Sequence, residues 1–359
     1  MTVDLVPAPT DEQAMLVEAS VRFMESEHPL ASVRAYADGA SHDDDAYRAT
    51  AAELGWFGML ADDAHGGGSM SGNGVLDAAL IGAERGARLQ PGPFVGHNVV
   101  VDALASGGRH DEVVTQLVAG EAWATWTGPS EPSCTLEGTQ LSGSVGVVAD
   151  ADVCTWLLIG ATSGDRVVQV LVRTDAPGVT IRTLEALDVT RHWIAVDLAD
   201  VSVSDDDVLD LGTRPSELAA VLAAAESVGA MQADFDVALQ YAKDRVAFGR
   251  PIGSFQAIKH LLADTSLWLE MAKALVTAAA ISLGRGAPDG PELAHAAKSF
   301  VAERGVELGQ NCFQVFGGIG YTWEHDQHFW FRRLAADAEQ FGSAWAHRSQ
   351  LLDAVGVTR

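Results

Sequence analysis

The chain is short of cysteine, short of positive charge, and without long uninterrupted apolar runs. Its three cysteines, Cys134, Cys154 and Cys312, are odd in number and widely spaced. That excludes a disulfide framework and a cysteine-based zinc site, leaving reduced, partly buried thiols as the expectation. Only 23 of 359 residues are Lys or Arg against 49 Asp and Glu, a formal net charge of −26. A field of that sign repels nucleic acid phosphates and anionic lipid. The longest apolar runs, such as Ala219–Ala225, are too short to span a bilayer. The first residues, Met1 to Glu12, carry acids and prolines and lack a basic segment followed by an apolar one, so no signal peptide is expected. These absences point to a cytoplasmic protein that uses neither nucleic acid nor membrane and holds no metal. An anionic ligand would need a basic pocket set against the general charge.

What is present falls into three textures. From about Thr10 to Leu117, Ala, Leu, Glu and Met dominate. Apolar positions recur at three and four, as in Met15, Ala19 and Phe23, then Leu54, Phe57 and Leu60. From about Ala122 to Val208, short runs rich in Val, Thr and Trp alternate with turn residues. Trp156–Gly160, Val167–Val172 and Trp193–Leu198 are expected strands, with Gly164-Asp165 a hairpin turn between the first two. Strands so short and close suggest a small barrel or sandwich. From Ser216 onward helical texture returns. Ser216 is an expected cap for a long helix to about Lys243, Ser254 for the next, and Pro291-Glu292 opens a third that stops at Gly317-Gly318. Two more helices are expected near Asp326–Gln340 and Ser343–Val355. The expected class is α+β multi-domain: an α-helical domain over 1–118, a β domain over 119–212 and a helical bundle over 213–359.

Two segments carry chemistry. Arg245-Val-Ala-Phe-Gly-Arg-Pro-Ile-Gly-Ser-Phe-Gln256 lies between two expected long helices. It describes a tight turn with a cation at its mouth, and an Arg fork suits a diphosphate. Alone it reads first as a helix–helix corner with a surface Arg, because glycine turns between helices are common. Gln314-Val-Phe-Gly-Gly-Ile-Gly-Tyr321 is a Gly-rich stop at a helix end, where backbone amides and the Gln314 side chain reach outward. It is not a dinucleotide fingerprint, because a helix rather than a strand precedes it.

Together the two segments resemble the acyl-CoA dehydrogenase family, whose pattern is R-x-x-F-G-x-x-I-x-x-F/H-Q followed by Q-x-x-G-G-x-G-Y. Leu54-Gly-Trp-Phe-Gly58, Gly66-Gly67, Glu84 with Leu89-Gln-Pro-Gly-Pro93, and Val228-Gly-Ala-Met-Gln232 extend the likeness over nearly the whole chain. The resemblance implies an N-terminal helical domain, a middle β-barrel and a C-terminal four-helix bundle. It also implies FAD, an acyl-CoA thioester, and removal of an α proton by a carboxylate while the flavin takes the β hydride. Arg245, Phe248, Gln256, Gln314, Gly317 and Gly318 are then the cofactor-binding residues.

Three departures follow. The family's T-E-P-G-x-G-S-D-like run stands here as Thr125-Trp-Thr-Gly-Pro-Ser130, with Gly128 at the Glu position. The family's G-x-K-x-W-I-T stands as Gly143–Ala149, with Val147 for the Trp and Ala149 for the Thr. The two family positions of the catalytic Glu fall on Ala219 and Gly342. Glu217, Glu226 and Glu339 are nearby acids, and Glu226 and Glu339 are the candidate substitutes; each is otherwise a structural or surface Glu. In the family, the retained Arg and Gln serve a neighbour's FAD, whereas the missing groups serve the subunit's own. The resemblance therefore implies a subunit of an α2β2 heterotetramer that completes the FAD site of a homologous, Glu-bearing partner, as among enzymes for steroid side-chain CoA thioesters. A self-sufficient homomer with a relocated base, and a catalytically silent acyl-CoA-binding scaffold, remain alternatives. His325, His328 and His347 suit polar packing better than metal, Arg332 and Arg333 suit CoA phosphates or salt bridges, and Trp193 suits the β-domain core.

Overall fold

A 31-residue helix of mostly Ala, Leu, Val and Met is buried along most of its length, and helices from both the N-terminal and the C-terminal regions pack against it. The computed structural model describes residues 9–40, 44–128 and 133–354. Six helices come first: α1 (Asp11–Glu27), α2 (Leu30–Ala37), α3 (Asp44–Glu53), α4 (Gly74–Ala87), α5 (Phe94–Gly107) and α6 (Asp111–Val118). Strands β1 (Ala124–Trp126), β2 (Cys134–Glu137), β3 (Gln140–Ala149), β4 (Trp156–Ser163), β5 (Arg166–Arg173), β6 (Val179–Leu184), β7 (Trp193–Ser202) and β8 (Val208–Leu209) follow. The long helix is α7 (Arg214–Asp244). A two-stranded hairpin, β9 (Val246–Ala247) with β10 (Arg250–Pro251), leads to α8 (Gln256–Gly284), α9 (Gly290–Phe316), α10 (Gln327–Asp337) and α11 (Ala344–Ala354).

The eight β-domain strands form one mixed sheet in the order β6-β7-β3-β2-β4-β5-β8, with β1 beside β4. The expected hairpin is there: Ser163 faces Arg166 and Gly164 takes the left-handed conformation its turn requires. The helix starts differ from expectation. Thr213, not Ser216, precedes α7, with Pro215 in its first turn; Ser254 bonds the Pro251 carbonyl and Phe255 precedes α8. Helix α10 is shorter at both ends than the sequence texture suggests, and the expected end of the last helix, Val355, lies outside the described residues.

Helix α4 packs on α7 through glycine. A Cβ at Gly86 would lie 1.8 Å from the Glu226 carbonyl oxygen, and one at Gly229 would lie 1.7 Å from that of Ala83. The backbones touch there, so only glycine fits. By length and composition, α7 and α8 are both apolar enough to cross a membrane, which uninterrupted runs alone did not reveal. The apolar window of α7 is 89% buried inside the protein, whereas that of α8 is only 33% buried. Leu267 and Met271 of α8 face outward.

Candidate functional site

The Arg245 segment is built by a tight hairpin. Phe248 and Gly249 both have positive φ, 54° and 79°, the pattern of a two-residue turn of the primed type. A phenylalanine in that region is strained, and its ring is 97% exposed. The Ile252 amide donates to the Arg245 carbonyl at 2.8 Å, and Gly253 sits so near the Ala242 carbonyl that a Cβ would come within 2.9 Å. These contacts hold the hairpin against the end of α7. The Tyr241 and Phe316 rings, with centroids 4.8 Å apart, bring the ends of α7 and α9 together, so Arg245 and Gly317-Gly318 share one end of the bundle. Arg245, Gln256, Gln314 and Gly318 are all exposed, and Tyr321 is 81% exposed. Among the described residues, Arg245 has no ion-pair partner. Between Lys243 and Lys259 there are four basic residues against one acid, Asp244, in a chain of net charge −26. This is a local basic end with an open guanidinium fork, an exposed aromatic and glycine-rich backbone, a donor set that fits a diphosphate-bearing cofactor.

A cavity of about 530 Å³ lies between the sheet and the end of α10. Trp126, Thr127 and Gly128, the stretch Val145–Ala149, and Glu339 to Phe341 all line it. It is thus bounded by the segments in which the sequence departs from the family pattern; Pro129 and Ser130 of the first departure lie outside the described residues. No Lys, Arg or His lines it among the described residues. At the positions where the family pattern has Trp and Thr, the Val147 and Ala149 side chains provide neither an aromatic face nor a hydroxyl. The donor set does not fit FAD.

Inward of this cavity the space closes to about 10 Å³, lined by Arg191, Glu226, Asp150 and Phe341 among others. Four buried basic side chains, Arg85, Arg191, Lys298 and Arg333, meet four buried acids, Asp150, Asp188, Glu226 and Asp337. Arg191 donates to Glu226 at 2.6 Å and to Asp337 at 3.1 Å, while Arg85 lies 3.5 Å from the other Glu226 oxygen. Arg333 donates to Asp188 at 2.8 Å, and Lys298 to the Asp337 carbonyl at 2.6 Å. Burial alone would raise Glu226, but Arg191, Arg85 and Arg333 outweigh it and hold the carboxyl below its ordinary range. Asp337 goes the other way, pushed up to about 6 by burial against the pull of Arg191 and Arg333. The cluster joins the N-terminal helices, the sheet and the C-terminal helices.

The candidate bases divide accordingly. Glu226 is turned into the ionic cluster and does not line the large cavity. Glu217 is buried in the first turn of α7. Glu339 is exposed and lines the large cavity. Ala219 is fully buried. Gly342 has φ +111°, and a Cβ there would come 2.8 Å from the His347 ring, which is held by the Phe341 carbonyl and by His295. Of the three histidines singled out from sequence, His328 stacks on Trp323 and His347 meets His295. Among the described residues no group of His, Cys, Asp or Glu is placed to hold a metal. Arg333 is in the ionic cluster, Arg332 donates to the Leu187 carbonyl, and Trp193 is buried in the sheet while also lining the cavity. The cluster itself went unseen in the sequence, because its members come from distant segments with no shared period.

Comparison with known proteins agrees with this architecture. Residues 217–355 match the acyl-CoA dehydrogenase C-terminal domain. The chain is 29% identical over 333 residues to acyl-CoA dehydrogenase IpdE2 of Mycobacterium tuberculosis, covering 92% of this chain and 93% of that one. It is 32% identical over 315 residues to acyl-CoA dehydrogenase FadE34 of the same organism, covering 86% of this chain but only 42% of the longer FadE34. A solved variant of the Tcur3481-Tcur3483 steroid ACAD superposes with a TM-score of 0.88 at 25% identity, over 97% of this chain and 98% of that one. On motifs, fold and relatives together, the C-terminal bundle matches the acyl-CoA dehydrogenase family and the chain as a whole is similar to its members.

Proposed function

We propose that this chain is the base-lacking subunit of a heteromeric (α2β2), FAD-dependent acyl-CoA dehydrogenase whose flavin site lies on a related partner that carries the catalytic Glu. The reaction is α,β-desaturation of an acyl-CoA thioester, with steroid side-chain CoA esters as the substrate class. One contrast carries the reading: the end bearing Arg245 is basic, exposed and without an ion-pair partner among the described residues, whereas the chain's own cleft has neither cation nor base at the family positions. Bound FAD would accept the hydride. This chain's part is to grip: Arg245 holds the diphosphate by a charge-assisted fork, Gln314 and the Gly317-Gly318 backbone offer further donors, and Phe248 covers an apolar part of the cofactor. The partner's carboxylate takes the proton.

Two further observations support a partner. Helix α8, which starts at Gln256 at the end of the motif, has an apolar window only 33% buried, and its exposed Leu267 and Met271 need covering. This chain matches only 42% of FadE34, which leaves room there for a second unit of similar size. The related steroid ACAD pairs Tcur3481 with Tcur3483, which favours both the pairing and the substrate class.

The test is co-expression with a Glu-bearing homologue. The lone chain should carry little flavin and the pair should be yellow and active; stoichiometric flavin and turnover in the lone chain would sink the reading. An assembled complex indifferent to Arg245→Ala would leave this chain a scaffold. Glu339, because it lines the cavity, favours a second reading in which the chain is a self-sufficient homomer. Under that reading Glu339→Gln abolishes turnover by the lone chain.

A further inference from the structure

We propose that a separate cavity, walled by α9, the turn at residues 320–323 and α10, is a binding site for a small aromatic carboxylate. The proposal goes beyond the heteromer reading and does not depend on it. None of Arg245, Gln256, Gln314, Gly317 and Gly318 lines this cavity.

Its volume is about 290 Å³, at the small end of ligand pockets, which run from roughly 300 to 1,000 Å³. That is room for a single ring rather than for a dinucleotide. The walls are aromatic. Phe313 of α9 meets Tyr321 edge-on at 4.9 Å and Phe331 of α10 at 5.0 Å. Gly309 allows this approach, since a Cβ there would overlap the Phe331 ring. Trp323 stacks on the His328 ring at 4.8 Å and 26°, and its indole N–H is pinned by Asp38 at 3.0 Å. Leu187, from the loop between β6 and β7, completes the wall and is 58% exposed.

Two polar side chains set the ligand's charge. Arg332 donates to the Leu187 carbonyl at 2.9 Å and has no ion-pair partner among the described residues. A guanidinium carries five donors, so most of the fork stays open. No Asp or Glu lines the cavity among the described residues, in a chain that has 49 of them. Asp326, close in sequence, is engaged by Arg34 at 3.0 Å. His328 is only 6% exposed, and neither of its ring nitrogens has a hydrogen-bond partner. The nearby Trp323 carbonyl is already taken by Arg34 at 2.6 Å. Buried polar groups are nearly always paired, so an orphaned imidazole lining a cavity calls for a ligand atom. Burial lowers the pKa of His328, and Arg332 and Arg34 lower it further. The ring is then neutral, with one nitrogen to donate and one to accept. An open guanidinium fork beside an imidazole N–H suits a carboxylate, and the surrounding rings suit a flat apolar body attached to it. A cation is repelled by Arg332, and a neutral ligand leaves that guanidinium without a counter-charge.

The test titrates the purified full chain with benzoate and 4-hydroxybenzoate, followed by calorimetry and by tryptophan fluorescence. Benzamide, which keeps the ring without the charge, and acetate, which keeps the charge without the ring, are the controls. The expectation is saturable one-to-one binding of at least one aromatic carboxylate, with both controls weaker by about tenfold or more. Arg332→Gln should weaken that binding about tenfold to a hundredfold, the worth of a hydrogen bond to a charged group, with circular dichroism unchanged. His328→Phe keeps a ring on Trp323 but removes the N–H, and should weaken it about fivefold. If one variant fails to fold, the other carries the test. Failure of both carboxylates to bind, equal binding by either control, or an affinity that neither variant changes overturns the proposal. So does binding lost in Arg245→Ala but kept in Arg332→Gln, which would put the anion at the hairpin instead. Each of these outcomes leaves the heteromer reading standing.

Discussion

The two sides of α7 differ in what they have left open. At its C-terminal end an arginine, an aromatic ring and Gly318 face water, and among the described residues the arginine has no ion-pair partner. Deeper in, four basic and four acidic side chains are buried against one another, and the position of one family base is a glycine against which His347 is packed. An open fork costs little while it stays hydrated. A buried charge is tolerable only when paired. The contrast therefore separates groups available to another molecule from groups spent on this chain's own stability.

Breaking the closed side should have the largest effect. Glu226→Gln removes one of four buried acids and leaves Arg85 and Arg191 short of counter-charge. Breaking a buried pair in this way costs about 3–5 kcal/mol. Chemical denaturation should show a loss of that size. A loss under about 1 kcal/mol would mean that water reaches the cluster, and the closed side would have to be redrawn.

The open side should behave in reverse. Arg245→Ala should leave the denaturation midpoint of the lone chain unchanged, because Arg245 is exposed and has no ion pair among the described residues. In the assembled complex it should weaken flavin retention about tenfold to a hundredfold, the worth of a hydrogen bond to a charged group. Flavin released on dilution, measured by fluorescence, checks this. A variant that unfolds but still holds flavin would invert the comparison.

Gly342→Glu asks whether the closed side can be reopened as an active site. Its φ of +111° disfavours any side chain, and the new Cβ would meet the His347 ring at 2.8 Å. The variant should be less stable by about 1–3 kcal/mol and gain no dehydrogenase activity. Turnover by the lone variant would show that the missing carboxylate is the only defect of its cleft.

Much of this was legible in the sequence. The helix, strand, helix order followed from apolar periodicity, and the strands β4, β5 and β7 fell where alternation placed them. Arg245 and Gln314 were legible because each sits in a contiguous segment whose glycines fix the local backbone. Helix starts were not, since Ser216 and Ser254 are good caps that tertiary packing left unused. Nor was the fate of the candidate acids. Whether Glu226 or Glu339 faces a cavity depends on how α7 and α10 meet the sheet, and Arg191, which engages Glu226, lies 35 residues away in a loop without periodicity. Long-range charge pairing leaves no local mark.

The smallest effect concerns pH. Burial pushes His347 down to about 4 and His97 down to about 3 from an ordinary 6.5. Both stay neutral in the fold while the unfolded chain takes protons, so their contribution is present above pH 6.5 and is lost as pH falls. Asp150 and Asp337 oppose this. Burial raises each to about 6 from 3.8, so the fold takes their protons first and gains as pH falls through 6. Stability should therefore drop between pH 7 and 6 and flatten below 6. His347→Asn should remove about 0.5–1 kcal/mol of the drop between pH 7 and 6, whatever it does to the absolute midpoint. Denaturation midpoints at half-unit pH steps check the slope. An unchanged slope would mean that His347 is free to protonate, and the clamp it forms on Phe341 would then loosen in the same pH range.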